Sequence, residues 1–214
     1  MAIADIRREY SLGGLRRADL DANPITQFQK WFGQAVNALA QEEIDVNAAM
    51  FATADKNGKP SARIILLKGL DERGFIFFTN YGSRKGRELS ANPNASLVFY
   101  WQQLERQVCI AGTVEKTSRE ESENYFKSRP RGSQLAAWAS NQSDVVKDRA
   151  VLEEKWNQME KKFPNEVPLP PNWGGYVLKP EQIEFWQGRA SRLHDRFCYT
   201  LQKDNSWKLE RLAP

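Results

Sequence analysis

Residues that bind soft metals are scarce: the 214-residue chain has one histidine, His194, and two cysteines, Cys109 and Cys198. One histidine excludes a multi-histidine zinc site and leaves any catalytic triad dependent on that residue. Two cysteines cannot build a disulfide framework, and their spacing fits no metal knuckle. Both are expected as buried apolar fillers in a reduced, cytoplasmic compartment. Apolar runs approaching the roughly 20 residues of a membrane span are absent. Mean hydropathy is -0.65, and the first ten residues show no apolar core like that of a signal peptide. Also missing are GxGxxG after a strand, GxxxxGK[ST] and Gly-x-Ser-x-Gly, so dinucleotide folds, P-loops and hydrolase elbows lack support.

Hydrophobic residues at 41% and charged residues at 27% are ordinary for a globular chain. A chain of this size hides roughly 70–75% of its unfolded surface, enough for a sizeable core. The net charge of +4 points to anionic partners, either nucleic acid or small phosphorylated molecules. The basic residues form four separate clusters rather than one stripe, which favours discrete phosphates over a nucleic-acid backbone.

Residues 1–22 are polar and basic around Gly13-Gly14, and read as a mobile arm or lid. Asn23 can cap a helix that opens with Pro24 and repeats Ile25, Phe28, Phe32, Ala35 and Leu39 at helical spacing. Short strands follow over 48–54, 61–70, 75–79, 96–102 and 107–115, with turns at Asp55–Gly58 and Asp71–Gly74. Between them Ser83 can cap a short helix. The middle reads as helices over 119–128, 133–140 and 144–163, and strands over 175–186, 192–201 and 207–212 close the chain, with a break at Pro180. Sheet pieces flanking a helical insertion at about 119–163 predict a single α+β domain over 23–214, built on a small antiparallel barrel.

Four stretches join cations to small polar groups. In Arg63-Ile-Ile-Leu-Leu-Lys68, strand alternation puts Arg63 and Lys68 on opposite faces; the stretch alone reads best as a core strand with snorkelling ends. Thr79-Asn-Tyr-Gly-Ser83-Arg84-Lys85 puts two cations in a first helical turn, where they oppose the dipole unless an anion is present. A phosphate site and a solvated basic turn weigh evenly there. Tyr125 and Arg129 share a helix face before the corner at Pro130, and Ser133 can cap the next helix. A plain helical corner is the ordinary alternative. Lastly, period-2 alternation would put Arg192, His194 and Arg196 on one strand face, an unfavourable grouping without a ligand.

Together these stretches resemble the pyridoxine/pyridoxamine 5'-phosphate oxidase family, flavin enzymes that make pyridoxal 5'-phosphate. The likeness covers nearly the whole chain. It runs through Arg7-Arg8-Glu9-Tyr10, Arg63–Lys68, Thr79–Lys85, Glu105-Arg-Gln107, Ser128-Arg-Pro130 and Trp138-Ala-Ser-Asn-Gln142-Ser143. It continues through Pro168-Leu-Pro-Pro-Asn-Trp-Gly-Gly175, Gln182-Ile-Glu-Phe-Trp-Gln-Gly188, Arg192-Leu-His-Asp-Arg196 and Arg211-Leu-Ala-Pro214. The family often has a proline before x-Ala-Met, where this chain reads Asn47-Ala-Ala-Met50.

The resemblance implies an FMN-binding split barrel and a homodimer with FMN at the subunit interface. By family pattern FMN would meet Arg63, Ile64, Ile65, Leu66, Leu67 and Lys68 on one strand. It would also meet Phe78, Thr79, Arg84 and Lys85 on the next stretch. Gln107, Gln142, Ser143, Trp186 and Arg196 would complete its site. Substrate would meet Lys68, Tyr125, Arg129 and Ser133 through its phosphate, and Arg192, Leu193 and His194 through its ring. Arg192 and His194 would be the catalytic pair, with Arg7, Arg8, Glu9 and Tyr10 in an arm closing over them. The implied reaction oxidises pyridoxine or pyridoxamine 5'-phosphate with O2, passing a hydride from C4' to flavin N5 and yielding hydrogen peroxide, plus ammonia from the amine. No metal, nucleic acid or membrane is expected. The alternatives are another split-barrel FMN reductase, a flavin-binding carrier or a basic nucleic-acid module.

Overall fold

The computed structural model describes residues 2–6 and 8–214. Two single-turn 3-10 helices, Ile3–Asp5 and Arg17–Asp19, precede α1 (Pro24–Ala38), whose first amide donors are met by the Asn23 side chain with Pro24 at the first position. Strands β1 (Ala48–Ala54), β2 (Pro60–Leu66), β3 (Gly69–Asp71) and β4 (Gly74–Asn80) lead to α2 (Arg84–Ala91), capped by Ser83. After β5 (Asn94–Trp101) and β6 (Arg106–Lys116) come α3 (Arg119–Ser128), α4 (Arg131–Ala139) and α5 (Arg149–Lys162). The chain ends in β7 (Trp173–Gln187), β8 (Asp195–Leu201) and β9 (Trp207–Leu212).

All nine strands join one antiparallel sheet of order β2-β1-β5-β6-β7-β4-β3, with β8 added to β7 and β9 to β8. The segment expected as one strand over 61–70 divides at Leu67-Lys68. The Leu67 amide still donates to Asn47 beside β1, while the Lys68 amide donates to Ile76 of β4. The two ends of the sheet therefore meet through the chain and not through a ladder, which makes the α+β fold a split barrel. Asn47 holds this junction from both directions, since its side chain also donates to the Leu67 carbonyl at 2.9 Å.

Period-2 alternation sets the two faces. Phe51, Leu97, Ile110, Ile183 and Tyr199 lie directly opposite one another from β1 to β8, and all are fully buried. The adjacent row carries Ile64, Met50, Val98, Cys109, Glu184 and Cys198, with Ile64 62% and Met50 49% exposed. α1 closes the buried side. Phe28 meets the rings of Phe75, Phe99 and Trp101 at 4.9, 5.0 and 6.2 Å. A second core, Phe126, Leu135, Val167 and Trp173, packs the helical insertion against the start of β7.

Other boundaries also differ from the sequence expectation. β7 does not break at Pro180; it passes through a bulge in which Gln182 faces Ala111 and Pro180 faces Gly112, leaving Glu181 unpaired. α5 starts at Arg149 under an Asp148 cap, with residues 144–148 outside it. α4 starts at Arg131, so Ser133 lies inside its first turn and caps nothing. Cys198 is buried, but Cys109 is only half-buried; burial still pushes the Cys109 thiol up to about 11. Among the described residues no helix is long and apolar enough to cross a membrane.

Removing the Phe28 ring takes away contacts that tie α1 to two sheet strands, β4 and β5. Phe28→Ala should lower unfolding free energy by about 3–5 kcal/mol. Urea midpoints at one fixed protein concentration will check this.

Candidate active site

The start of α2 gathers cations from three directions. Ser83 Oγ accepts the Gly86 amide at 3.3 Å, turning the helix so that Arg84 and Lys85 occupy its first turn. Lys85 Nζ is buried and donates to two neutral oxygens, Thr79 Oγ1 at 3.1 Å and Gln142 Oε1 at 3.0 Å. Burial, and then the nearby Arg63 guanidinium, push this ammonium down to about 8. The Arg84 amide donates to Ser143 Oγ at 3.2 Å, and Ser143 itself holds φ 76°. Arg63 reaches inward from β2, donating to the Phe51 carbonyl at 3.2 Å and to the hydroxyls of Thr53 and Ser61. Glu88, one turn along α2, pairs with both guanidiniums, Arg84 at 2.8 Å and Arg63 at 3.4 Å. Three cations thus face one carboxylate. The surplus suits a phosphate monoester, whose charge is close to -2 at neutral pH.

Beside this cradle, on the same wall, lies a cavity of about 310 Å³ lined by Thr79, Asn80, Arg129, Ser133, Gln142 and Trp173. Arg129 ends α3 and lies over the Trp173 ring at 4.7 Å. Its Nη1 is buried without a partner, which among the described residues is true of no other buried side-chain nitrogen or oxygen. An orphaned guanidinium nitrogen is costly unless an anion satisfies it. Tyr125, one turn earlier, stacks on Phe78 at 3.9 Å. The sequence placed Tyr125, Arg129 and Ser133 at one corner; the cavity adds Trp173, which no spacing signal marked.

A second group sits at the far end of β7. Gln107, Trp186 and Arg196 lie directly opposite one another on β6, β7 and β8. Trp186 meets the His194 ring at 4.6 Å, and Tyr10 closes edge-on over both at 5.6 Å. The Arg189 amide donates to His194 Nδ1 at 3.1 Å, which leaves Nε2 to carry the ring proton. Arg196 is held by Glu184 at 2.8 and 3.0 Å and by the Ala213 carbonyl at 2.8 Å. The expected strand face of Arg192, His194 and Arg196 does not form. β8 begins at Asp195, and Ser191 and Arg192 hold φ of 55° and 61° in a 3-10 turn. Left-handed backbone breaks the alternation, so Arg192 and His194 stand on a turn ahead of the strand.

The arm reaches this end through two carboxylates. The Leu12 amide donates to Glu105 Oε2 at 2.9 Å, and the Leu15 amide to Asp195 Oδ2 at 3.0 Å. Arg8 lies 3.6 Å from Glu105. Tyr10 rests on Gly188, where an added Cβ would come within 2.8 Å of its ring. Glu9 is exposed, and Arg7 lies outside the described residues. Along the strand expected to face the flavin, Ile64 and Lys68 are exposed, Ile65 and Leu66 half-buried and Leu67 buried. Leu193 is 70% exposed.

Residues 34–163 match a family model described as pyridoxamine 5'-phosphate oxidase, and residues 173–214 match the pyridoxine 5'-phosphate oxidase C-terminal dimerisation region. The chain is 56% identical over 214 residues to the pyridoxine/pyridoxamine 5'-phosphate oxidase of Paraburkholderia phytofirmans, covering 100% of this chain and 99% of that one. It is 57% identical over 213 residues to pyridoxine/pyridoxamine 5'-phosphate oxidase 1 of Ralstonia nicotianae, covering 100% and 99%. The chain belongs to the pyridoxine/pyridoxamine 5'-phosphate oxidase family. Among solved structures, PhzG from Burkholderia lata 383, in complex with tetrahydrophenazine-1-carboxylic acid, superposes with a TM-score of 0.86 at 33% identity, covering 94% of this chain and 98% of that one. A pyridoxamine 5'-phosphate oxidase-related, FMN-binding protein from Nostoc punctiforme shares the fold, with a TM-score of 0.71 at 18% identity over 87% and 97% of the two chains.

As a member of this oxidase family the chain is a flavoprotein of vitamin B6 metabolism, and its dimerisation region carries β7, β8 and β9. The sequence reading gave no role to Glu88, Glu105 or Asp195, although Glu105 and Asp195 lie in stretches that carry the resemblance. Glu88 left its own signal, the four-residue spacing from Arg84.

Lys85 supplies a pH test. Its folded pKa is depressed, so between about pH 8 and the usual lysine range the unfolded chain binds more protons than the folded one. Stability due to this group therefore rises with pH across that window. Urea midpoints of wild type and Lys85→Met between pH 7 and 10 should show wild type gaining on the variant as pH rises.

Proposed function

We propose that this protein oxidises pyridoxine 5'-phosphate and pyridoxamine 5'-phosphate to pyridoxal 5'-phosphate with FMN as cofactor, at a site completed by the partner subunit. One observation carries this reading. The residues expected to meet each ligand divide between the same two places on one chain. Arg63, Phe78, Thr79, Arg84, Lys85, Gln142 and Ser143 lie near the start of β7, where Thr79 faces Gly174, whereas Gln107, Trp186 and Arg196 lie near its end. The substrate set divides likewise, with Tyr125, Arg129 and Ser133 at the first place and Arg192, Leu193, His194 and Tyr10 at the second. From Gly174 to Trp186 runs roughly 40 Å of strand. A second copy, docked through the dimerisation region, can bring its far end to this chain's near end.

In this reading the cradle of Arg63, Arg84 and Lys85 holds the FMN phosphate at the start of α2. The neighbouring cavity takes the substrate phosphate, with Arg129 Nη1 as its charged donor and Ser133 and Tyr125 beside it. Lys68 stands exposed where the chain crosses from β2 to β3, free to reach the same anion. Fixing the phosphate fixes where C4' lies, which turns the reaction into a positioned one. Arg192 and His194 orient the pyridine ring, and Tyr10 on the arm shields it from water. Bound FMN would supply the two-electron redox chemistry between C4' and O2, with hydrogen peroxide as coproduct.

A purified sample supplied with FMN and pyridoxine 5'-phosphate in air should produce pyridoxal phosphate absorbance and hydrogen peroxide together. FMN binding with the vitamer left unchanged would reject the assigned reaction. The ring acid bound to PhzG would then be the next substrate class to assay.

Shared sites predict complementation. Arg129→Ala and Arg192→Leu should each abolish most turnover while keeping FMN. Co-refolded mixtures of the two variants should regain about a quarter of wild-type activity, because half the dimers then hold one intact site. A mixture as inactive as its components would place both residues in one chain's site.

A further inference from the structure

The cradle at the start of α2 contains a carboxylate that phosphate binding does not call for. Glu88 is 7% exposed and lies among the cations. Its Oε2 accepts from Thr53 Oγ1 at 2.5 Å and Ser61 Oγ at 2.6 Å, and its Oε1 accepts from Arg84 Nε at 2.8 Å. Burial by itself would raise this carboxyl, but the Ser61 and Thr53 hydroxyls and the Arg84 guanidinium outweigh it and hold the group at about 2. It is therefore an anion at every working pH. A fixed anion beside a phosphate site repels the ligand, so its presence needs a compensating gain.

That gain is order. Arg63 arrives from β2 and Arg84 from α2, two elements with no backbone ladder between them. Glu88 is the polar group that both guanidiniums share, while the two hydroxyls bond to Arg63 and to Glu88 itself. A free arginine side chain loses rotamer entropy when it is fixed. Fixing it beforehand removes that loss from ligand binding.

We propose that Glu88 is a positioning residue that orders Arg63 and Arg84 for the flavin phosphate, and so sets the preference for FMN over riboflavin. The inference rests on reading this cradle as the flavin phosphate site. The two flavins share the ring system and the ribityl chain, so only the phosphate contacts distinguish them.

Fluorescence titration of full-length apo-protein with FMN and with riboflavin, for wild type and Glu88→Gln, tests it. The preference for FMN should fall about tenfold in the variant, the size of one weakened charged hydrogen bond. Riboflavin affinity and the thermal midpoint should stay close to wild type. An unchanged preference, a raised preference, or equal loss of both ligands would each overturn the role of Glu88, the last by making it merely structural. Should Glu88→Gln not fold, Ser61→Ala keeps the charge while releasing one bond to the carboxylate, and should lower the preference by a few-fold; no change would again overturn it. Wild type without any preference for FMN would instead remove the cradle reading itself.

Discussion

The fifteen-residue strand β7 organises everything else, because it is paired along its length while changing partner partway. Residues 173–178 bond to β4, residues 182–187 bond to β8, and β6 runs along the other edge from Tyr176 to Gln187. The change of partner falls at Pro180 and Glu181, where a proline has no amide to donate and a bulge absorbs the extra residue. A strand so long cannot curl back on itself, so its two ends stay apart and each gathers its own polar group. The helical insertion packs on the first end, and the arm packs on the second.

Electrostatics differ between those ends for a physical reason. Near α2 the cations are in excess and partly desolvated: Lys85 has only neutral partners and Arg129 leaves a nitrogen unpaired. At the other end three arginines are already matched. Arg196 is bonded to Glu184, while Arg189 and Arg211 both pair with Asp195. The first end is built to receive anions, whereas the second presents rings and a histidine whose Nδ1 is engaged by backbone. The proposed function uses that division, with phosphates at one end and the flat rings at the other.

Much of this architecture was legible in the chain. The α1 cap and stripe, the Ser83 cap, the strand alternation and the turn residues all obey local rules, and the structure keeps each within a few residues. The resemblance motifs named the family before any geometry was available, and the full-length matches agree. Local rules failed where a residue's conformation answers to distant packing. Ser191 and Arg192 take left-handed backbone that no non-glycine sequence announces, and the Pro180 bulge is forced by β6. Ser133 looked like a cap, but Pro130 already provided the start of α4.

Composition and pattern by themselves determined the class: an α+β chain with scattered basic clusters, one histidine and no metal framework, because those properties depend on residue type and short spacing. Tertiary structure decided which clusters share a place. Arg63 and Arg84 are 21 positions apart in the chain yet meet on Glu88. Tyr10 reaches His194 across almost the entire sequence. Arg129 and His194, both given to the substrate by the resemblance, lie beside opposite ends of one strand. Such pairings follow from sheet register and strand length, which no local stretch of residues encodes.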